Sequence, residues 1–274
     1  MRTKLIGASL AFACLVGQAS VGAAEEAPLQ PTGKWMLDYG DTQCVALRDY
    51  GNEANPITLA IRSAPSGETY EILVGRKRYG PEFAEEFEGS VDFGWGQIKS
   101  WLLHHGGKKR KLTIDRFRIT SAEMAQARTS KAVTLRSKGS ADVTFSLANM
   151  SALLKGLEDC TADLKRYWND GGAEDGRIAV PPKGDVRKVF TDRDYPSEAM
   201  NRRQEGTAQF FLMIDQTGKV AACHVLKASG IPALDGMGCS VIQERAKFSP
   251  AMDSKGKPVR STYITPPVSW RIAS

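Results

Sequence analysis

Two periods divide the chain. From Trp35 to Leu147 apolar residues come in short runs between turn signals: Trp35–Tyr39, Cys44–Arg48, Ile57–Ser63, Glu71–Val74, Leu112–Ile119, Val133–Arg136 and Val143–Leu147. Several alternate apolar with polar, which sets one side-chain row on each face of a half-buried strand. The period changes at Met150. Met150, Leu153, Leu154, Leu157, Cys160 and Leu164 recur at three and four residues, the spacing of one helix face. The pattern predicts a β-rich domain over residues 31–168 that ends in a helix. Residues 169–184, NDGGAEDGRIAVPPKG, have no apolar period and are rich in Gly, Pro and charge, so they read as a linker.

Residues 185–274 predict a second, smaller domain. Tyr195-Pro196 opens a short helix ending near Arg203, with proline early in the helix, where its missing N–H costs nothing. TAQFFLMID (Thr207–Asp215) is rich in strand formers, Gln216-Thr217-Gly218 makes a turn, and Lys219–Ser229 is a second strand, so the two form a hairpin. After Gly230-Ile231-Pro232 a helix runs from Leu234 to about Ala246, with Leu234, Met237, Val241 and Ile242 on one face. Phe248-Ser249-Pro250-Ala251 closes it, and the polar turn DSKGKP leads into a last strand, Ser261 to Ile272. The expected fold class is α+β.

The N-terminus changes the picture next. Arg2 and Lys4, the apolar run Leu5–Val16 and the small residues QASVGAA have the order of a secretory signal, residues 1–24, cut after Ala23 or Ala24. A spanning helix wants about 20 strongly apolar residues, and Gln18, Ser20 and two glycines dilute this stretch. The expected location is the periplasm; left uncleaved, the segment would anchor the chain in the inner membrane. Without Arg2 and Lys4 the chain holds 35 basic and 31 acidic residues, a net charge of +4. That surplus is too mild for nucleic acid without a basic stripe or a binding module, and Lys108-Lys109-Arg110-Lys111 reads as a solvated loop. Cys44, Cys160, Cys223 and Cys239 remain after cleavage, and an even number in an exported chain reads as disulfides. Position favours Cys44 with Cys160 and Cys223 with Cys239, each pair then lying within one domain.

No residue set makes a convincing active site. Cys223-His224 fails as a dyad because adjacent strand residues point to opposite faces. His104-His105 has no Cys, Asp or Glu at ligand spacing and reads as a surface loop. Ser229-Gly230 lacks the flanking glycines of a nucleophile elbow. Glu82, Glu85, Glu86 and Glu88 in PEFAEEFEG read as a solvated amphipathic stretch, and Trp95 and Trp101 as packing residues. The reading is a protein that is not an enzyme, with no cofactor and no metal.

The order Tyr195-Pro196…Ala199, Gly206…Ile214-Asp215…Gly218…Val220…Val225…Ser229-Gly230…Leu234-Asp235…Phe248-Ser249-Pro250-Ala251…Gly256-Lys257-Pro258-Val259…Val268-Ser269-Trp270 resembles the C-terminal domain of TonB-family proteins, over residues 190–272. The resemblance implies two helices on a three-stranded antiparallel sheet, and envelope partners that include TonB-dependent outer-membrane receptors. The Cys223/Cys239 pair is similar to a subgroup with a strand-to-helix bridge. A membrane-anchor His and a long Pro-rich spacer, which the family uses with its inner-membrane motor complex, have no counterpart here, which argues against engagement of the motor. The resemblance implies a periplasmic TonB-like protein, a binding and coupling module for TonB-dependent outer-membrane transport; a free-standing periplasmic adaptor, binding envelope proteins without energy coupling, is the alternative. Residues 25–168 resemble no family. A three-stranded sheet has two edges that offer unpaired N–H and C=O groups. The resemblance implies that partner peptides add to the last strand, before Pro266-Pro267 remove two donors, at Thr262, Tyr263, Ile264 and Thr265.

Overall fold

The computed structural model describes residues 27–78, 80, 85–106, 111–137 and 140–272. The expected signal segment therefore lies outside the described residues, as do Glu82 and the basic run Lys108-Lys109-Arg110. Among the described residues no helix is long and apolar enough to cross a membrane.

The N-terminal part is one antiparallel sheet of nine strands. They are β1 (Met36–Tyr39), β2 (Cys44–Asn52), β3 (Asn55–Ser63), β4 (Thr69–Arg76) and β5 (Glu85–Asp92), then β6 (Gln97–Gly106), β7 (Thr113–Thr120), β8 (Ala132–Ser137) and β9 (Ser140–Ser146). Their order across the sheet is β1-β2-β3-β4-β7-β6-β5-β8-β9. Residues just before β1 join the two ends. Leu29 exchanges hydrogen bonds with Thr144 and Ser146 of β9, while on the β2 side Thr32 N–H donates to Asp49 O and Gly51 N–H donates to Gln30 O. The sheet thereby closes on itself and leaves fewer open edges. Alternation does the rest: Leu59 and Ile61, Ile72 and Val74, Phe117 and Ile119, and Val133 and Leu135 point inward and are buried together. Tyr50 and Phe145 meet edge to face, ring centroids 4.9 Å apart.

All seven expected strands are present, each within a few residues of its expected bounds. β5 and β6 are additional. In β5, Phe87 and Val91 point inward and the glutamates Glu86 and Glu88 point outward, so its acidity marks only the outer face. His104-His105 end β6 rather than lying in a surface loop, which corrects that expectation. A short helix, α1 (Ser121–Gln126), is started by a reciprocal cap in which Glu123 N–H donates to Thr120 Oγ1 and Thr120 N–H donates to the Glu123 carboxylate. The long helix α2 (Met150–Tyr167) buries the expected face, Met150, Leu153, Leu154, Leu157, Cys160 and Leu164. The Cys44–Cys160 disulfide, Cα atoms 6.0 Å apart, pins it to β2.

The C-terminal domain contains α3 (Ser197–Asn201), the hairpin of β10 (Gly206–Ile214) and β11 (Val220–Lys227), and α4 (Pro232–Arg245). A small hairpin follows, β12 (Ala251–Met252) with β13 (Pro258–Val259), then β14 (Ser261–Ile264) and β15 (Val268–Trp270). β10 is central, with β11 on one side and both β14 and β15 on the other. The last strand is thus broken in two at Pro266-Pro267, which cannot donate to a ladder. Gly218 makes the β10–β11 turn at φ +82°, and a Cβ there would lie 1.8 Å from the Phe248 carbonyl oxygen. Asp215 holds that turn by accepting from Thr217 and Lys219 N–H.

β10 is apolar on both faces. Ala208, Phe210, Leu212 and Ile214 pack with Val220 of β11 and Ile242 of α4. Phe211 and Met213, on the other face, join Ala222 in the apolar cluster of the N-terminal part. Residues 169–184 run between these parts as an ordered arm. Val180 and Met252 exchange backbone hydrogen bonds, as do Lys183 and Ser249, and Ile178 is buried.

Candidate functional site

The expected partner-binding edge is set by one register. Thr265 N–H donates to Phe210 O at 2.9 Å, and Phe210 N–H donates to Thr265 Oγ1 at 3.1 Å. With Tyr263 opposite Leu212 and Ser261 opposite Ile214, alternate amides turn toward β10 and those of Thr262 and Ile264 turn outward. The four residues sit differently. Thr265 is buried, Tyr263 leans its ring on Phe248 at 5.0 Å, and the Ile264 side chain is 52% exposed. Thr262 Oγ1 donates to Asp170 Oδ1 at 2.7 Å, and Asn169 Nδ2 donates to Arg260 O at 2.8 Å. The turn after α2 therefore flanks the start of β14, and the open end of the edge lies at Ile264.

A second feature lies between the two parts, a cleft of about 700 Å³. One wall is the outer face of the barrel, where the outward positions of adjacent strands bring charge together. Arg62, Glu71 and Arg118 stand directly opposite one another on β3, β4 and β7, with Arg116 two residues along. Arg62 Nε donates to the Glu71 carboxylate at 3.0 Å, Arg118 is 3.3 Å away and Arg116 3.7 Å. Burial alone would raise the Glu71 carboxyl, yet the three guanidiniums hold it at about 2. The other wall is β11 and the start of α4. His224 there is pulled down to about 4, by burial first and then by Arg62, and its Nε2 has no hydrogen-bond partner among the described residues. Asp235 accepts from Ser229 N–H at 2.8 Å, lies 4.0 Å from Arg118, and is shifted up by burial. Glu86 of β5 reaches across and accepts from Ala233 N–H, in the first turn of α4.

All four expected cysteines are paired as anticipated. The Cys223–Cys239 bridge joins β11 to α4 with Cα atoms 5.4 Å apart, and it lines the same cleft. That His104 meets an acid is not legible from spacing, because strand register alone brings the two together. The β6–β7 register sets His104 opposite Asp115, with His104 Nδ1 2.5 Å from Asp115 Oδ1, and Arg76 pairs with the same carboxylate. It is a charge-compensated buried acid at the barrel end, and among the described residues no group of three or more His, Cys, Asp or Glu could hold a metal ion.

A small mixed domain with an open strand edge is thus braced against a larger barrel. Residues 191–272 match the family described as the Gram-negative bacterial TonB protein C-terminal, and they form a TonB-family C-terminal domain. The family is non-enzymatic and transport-related, and supports a TonB-like protein of envelope transport in general terms. No curated protein and no solved structure matches the chain. The family's elements have visible work here. Tyr195 OH donates to Gln204 O at 2.6 Å and packs edge-on to Trp270; Leu234, Phe248 and Ala251 are buried.

Proposed function

We propose that the chain is a periplasmic TonB-like protein whose C-terminal domain captures an extended segment of an envelope protein, such as a TonB-dependent outer-membrane receptor, on the outward edge of β14. The observation that carries this reading is the edge itself within a TonB-type domain: the Thr262 and Ile264 amides face away from β10, and Ile264 is exposed. An incoming strand gains backbone hydrogen bonds there at little cost in order, because the edge is already fixed by its ladder to β10. The proline pair limits the added strand to a few residues, and Asp170 limits it from the other side. Affinity would therefore rest on few hydrogen bonds, as suits a transient contact.

The barrel stands in sequence where the family carries its spacer. Its apolar and hydrogen-bonded contacts with the TonB-type domain favour a binding or adaptor role over motor-driven extension, so energy coupling is the weaker of the two readings.

The experiment is photocrosslinking in a Gram-negative envelope with a benzophenone residue at position 264. An adduct with an outer-membrane protein is expected, and it should vanish when Thr262 is replaced by proline in the same chain, which removes the adjacent outward donor. Adducts formed from an exposed barrel position such as Tyr39, and not from 264, would replace the edge with the adaptor reading.

A further inference from the structure

The cleft between barrel and C-terminal domain is not part of the edge, and its charge is unbalanced in a definite way. Arg62, Arg116 and Arg118 all face one carboxylate, Glu71, and of the three Arg118 alone also has Asp235 nearby, at 4.0 Å. The other acids on the cleft also hold backbone groups. Asp235 holds Ser229 N–H, and Glu123 is tied into the cap of α1. Arg62 is also held by Gln43, 2.9 Å away. Arg116 is the least engaged: its nearest carboxylate oxygen is 3.7 Å away, and its side chain is 28% exposed. Lys99 adds a further cation on the same wall. The apolar part of the lining is Leu103, Val225, Pro232 and the Cys223–Cys239 bridge, beside polar residues such as Ser240 and Gln243.

We propose that this cleft binds a small organic anion, its oxyanion group seated on Arg116 and Arg118 and its apolar body against Leu103, Val225 and Pro232. Guanidinium groups present paired donors that match a carboxylate or phosphate. A cleft with low-dielectric walls and one sign in excess also concentrates the field on an entering anion. Its volume, about 700 Å³, falls within the roughly 300–1,000 Å³ of small-molecule sites, which often lie between structural units. Desolvation already pulls the Arg116 guanidinium below its ordinary value, so an anion there would recover an interaction that water supplies poorly. Because the ligand would touch both walls, its binding would also favour the docked arrangement of the two parts.

The test uses the full chain and the fluorescent anion 1-anilinonaphthalene-8-sulfonate. Saturable binding at one site is expected, weakened about tenfold by Arg116→Gln, the scale of one lost charge-assisted contact. A second variant approaches from the other wall without touching any charge. Gly236 lies on α4 at the cleft, and a Cβ there meets nothing within 4 Å, so Gly236→Phe should fill the cleft and abolish binding while the melting temperature holds. Decanoate or decyl phosphate should displace the dye, and whichever competes better names the oxyanion; decanol should not. The proposal is overturned if both variants bind the dye like the parent chain, if neither anion displaces it, or if decanol competes as well as they do.

Discussion

At residue scale, the side chain that responds first to acid is His224. Its ring is wedged between β11 and the arginines of the barrel, and burial holds its folded value at about 4 against about 6.5 in an unfolded chain. Between those values the unfolded state takes a proton that the folded state refuses, so stability is fully present above pH 6.5 and is lost on descending to about pH 4. The loss at this one residue is on the order of 3 kcal/mol. Glu71, held at about 2, adds a second loss in the same direction, but only below about pH 4.5, where an unfolded glutamate begins to protonate. Glu86 and Asp235, both shifted up by burial, act in the opposite sense in the carboxylate range. His224→Gln should therefore flatten the pH dependence of the melting temperature between pH 6.5 and pH 4 and leave the steeper fall below pH 4.5. An unchanged slope in the upper window would sink this assignment. Little of the cluster was legible in the sequence. Arg62, Glu71, Arg116 and Arg118 come from three strands, and only the register brings them together. The cysteines were legible, because an even count and the domain order restrict the pairings.

At the scale of elements, alternation read well and its exceptions carried the information. Seven strands and the α2 face follow from period alone, since each has one wet and one dry side. β5 was hidden because its outer row begins with Glu86 and Glu88, and counting charge obscured the inward Phe87 and Val91. The run Phe210–Ile214 was read as strand, but its lack of alternation also signals burial on both faces, with the barrel on one side and α4 on the other. α4 shows the reverse problem. It carries Gly236 and Gly238, poor helix formers, yet Gly238 is required: a Cβ would come 2.4 Å from the Phe210 ring. This close seating is fixed by the Cys223–Cys239 bridge, which spans 16 residues. Replacing both cysteines by serine should lower stability by about 2–3 kcal/mol, as a short closed loop predicts, measured by denaturant melts of each protein. A cost under about 0.5 kcal/mol would show that packing of α4 on β10 holds without the bridge.

At the scale of the whole molecule, sequence order says where the parts divide, while the structure says how they are held. The arm of residues 169–184 could span roughly 50–55 Å if extended. Instead it doubles back and pairs with Ser249 and Met252. Arg260 lies over the Tyr167 ring at 4.3 Å, Thr262 holds Asp170, and Glu86 holds the first turn of α4. Phe211 and Met213 share an apolar cluster with the barrel, so separating the parts would expose two large side chains and strand several buried polar groups. Contacts this varied, apolar and hydrogen-bonded together, couple the unfolding of one part to the other. The expected outcome is a single calorimetric transition for the full chain, with calorimetric and van't Hoff enthalpies equal. A fragment of residues 185–274 alone should melt well below that temperature and bind hydrophobic dye through its uncovered sheet face. Phe211→Ala in the full chain should act on the same joint, lowering the common transition by the roughly 3–5 kcal/mol typical of a buried phenylalanine rather than splitting it. Two separate transitions in the parent chain, or a fragment as stable as the whole, would mean that barrel and TonB-type domain fold independently and that the cleft between them opens freely.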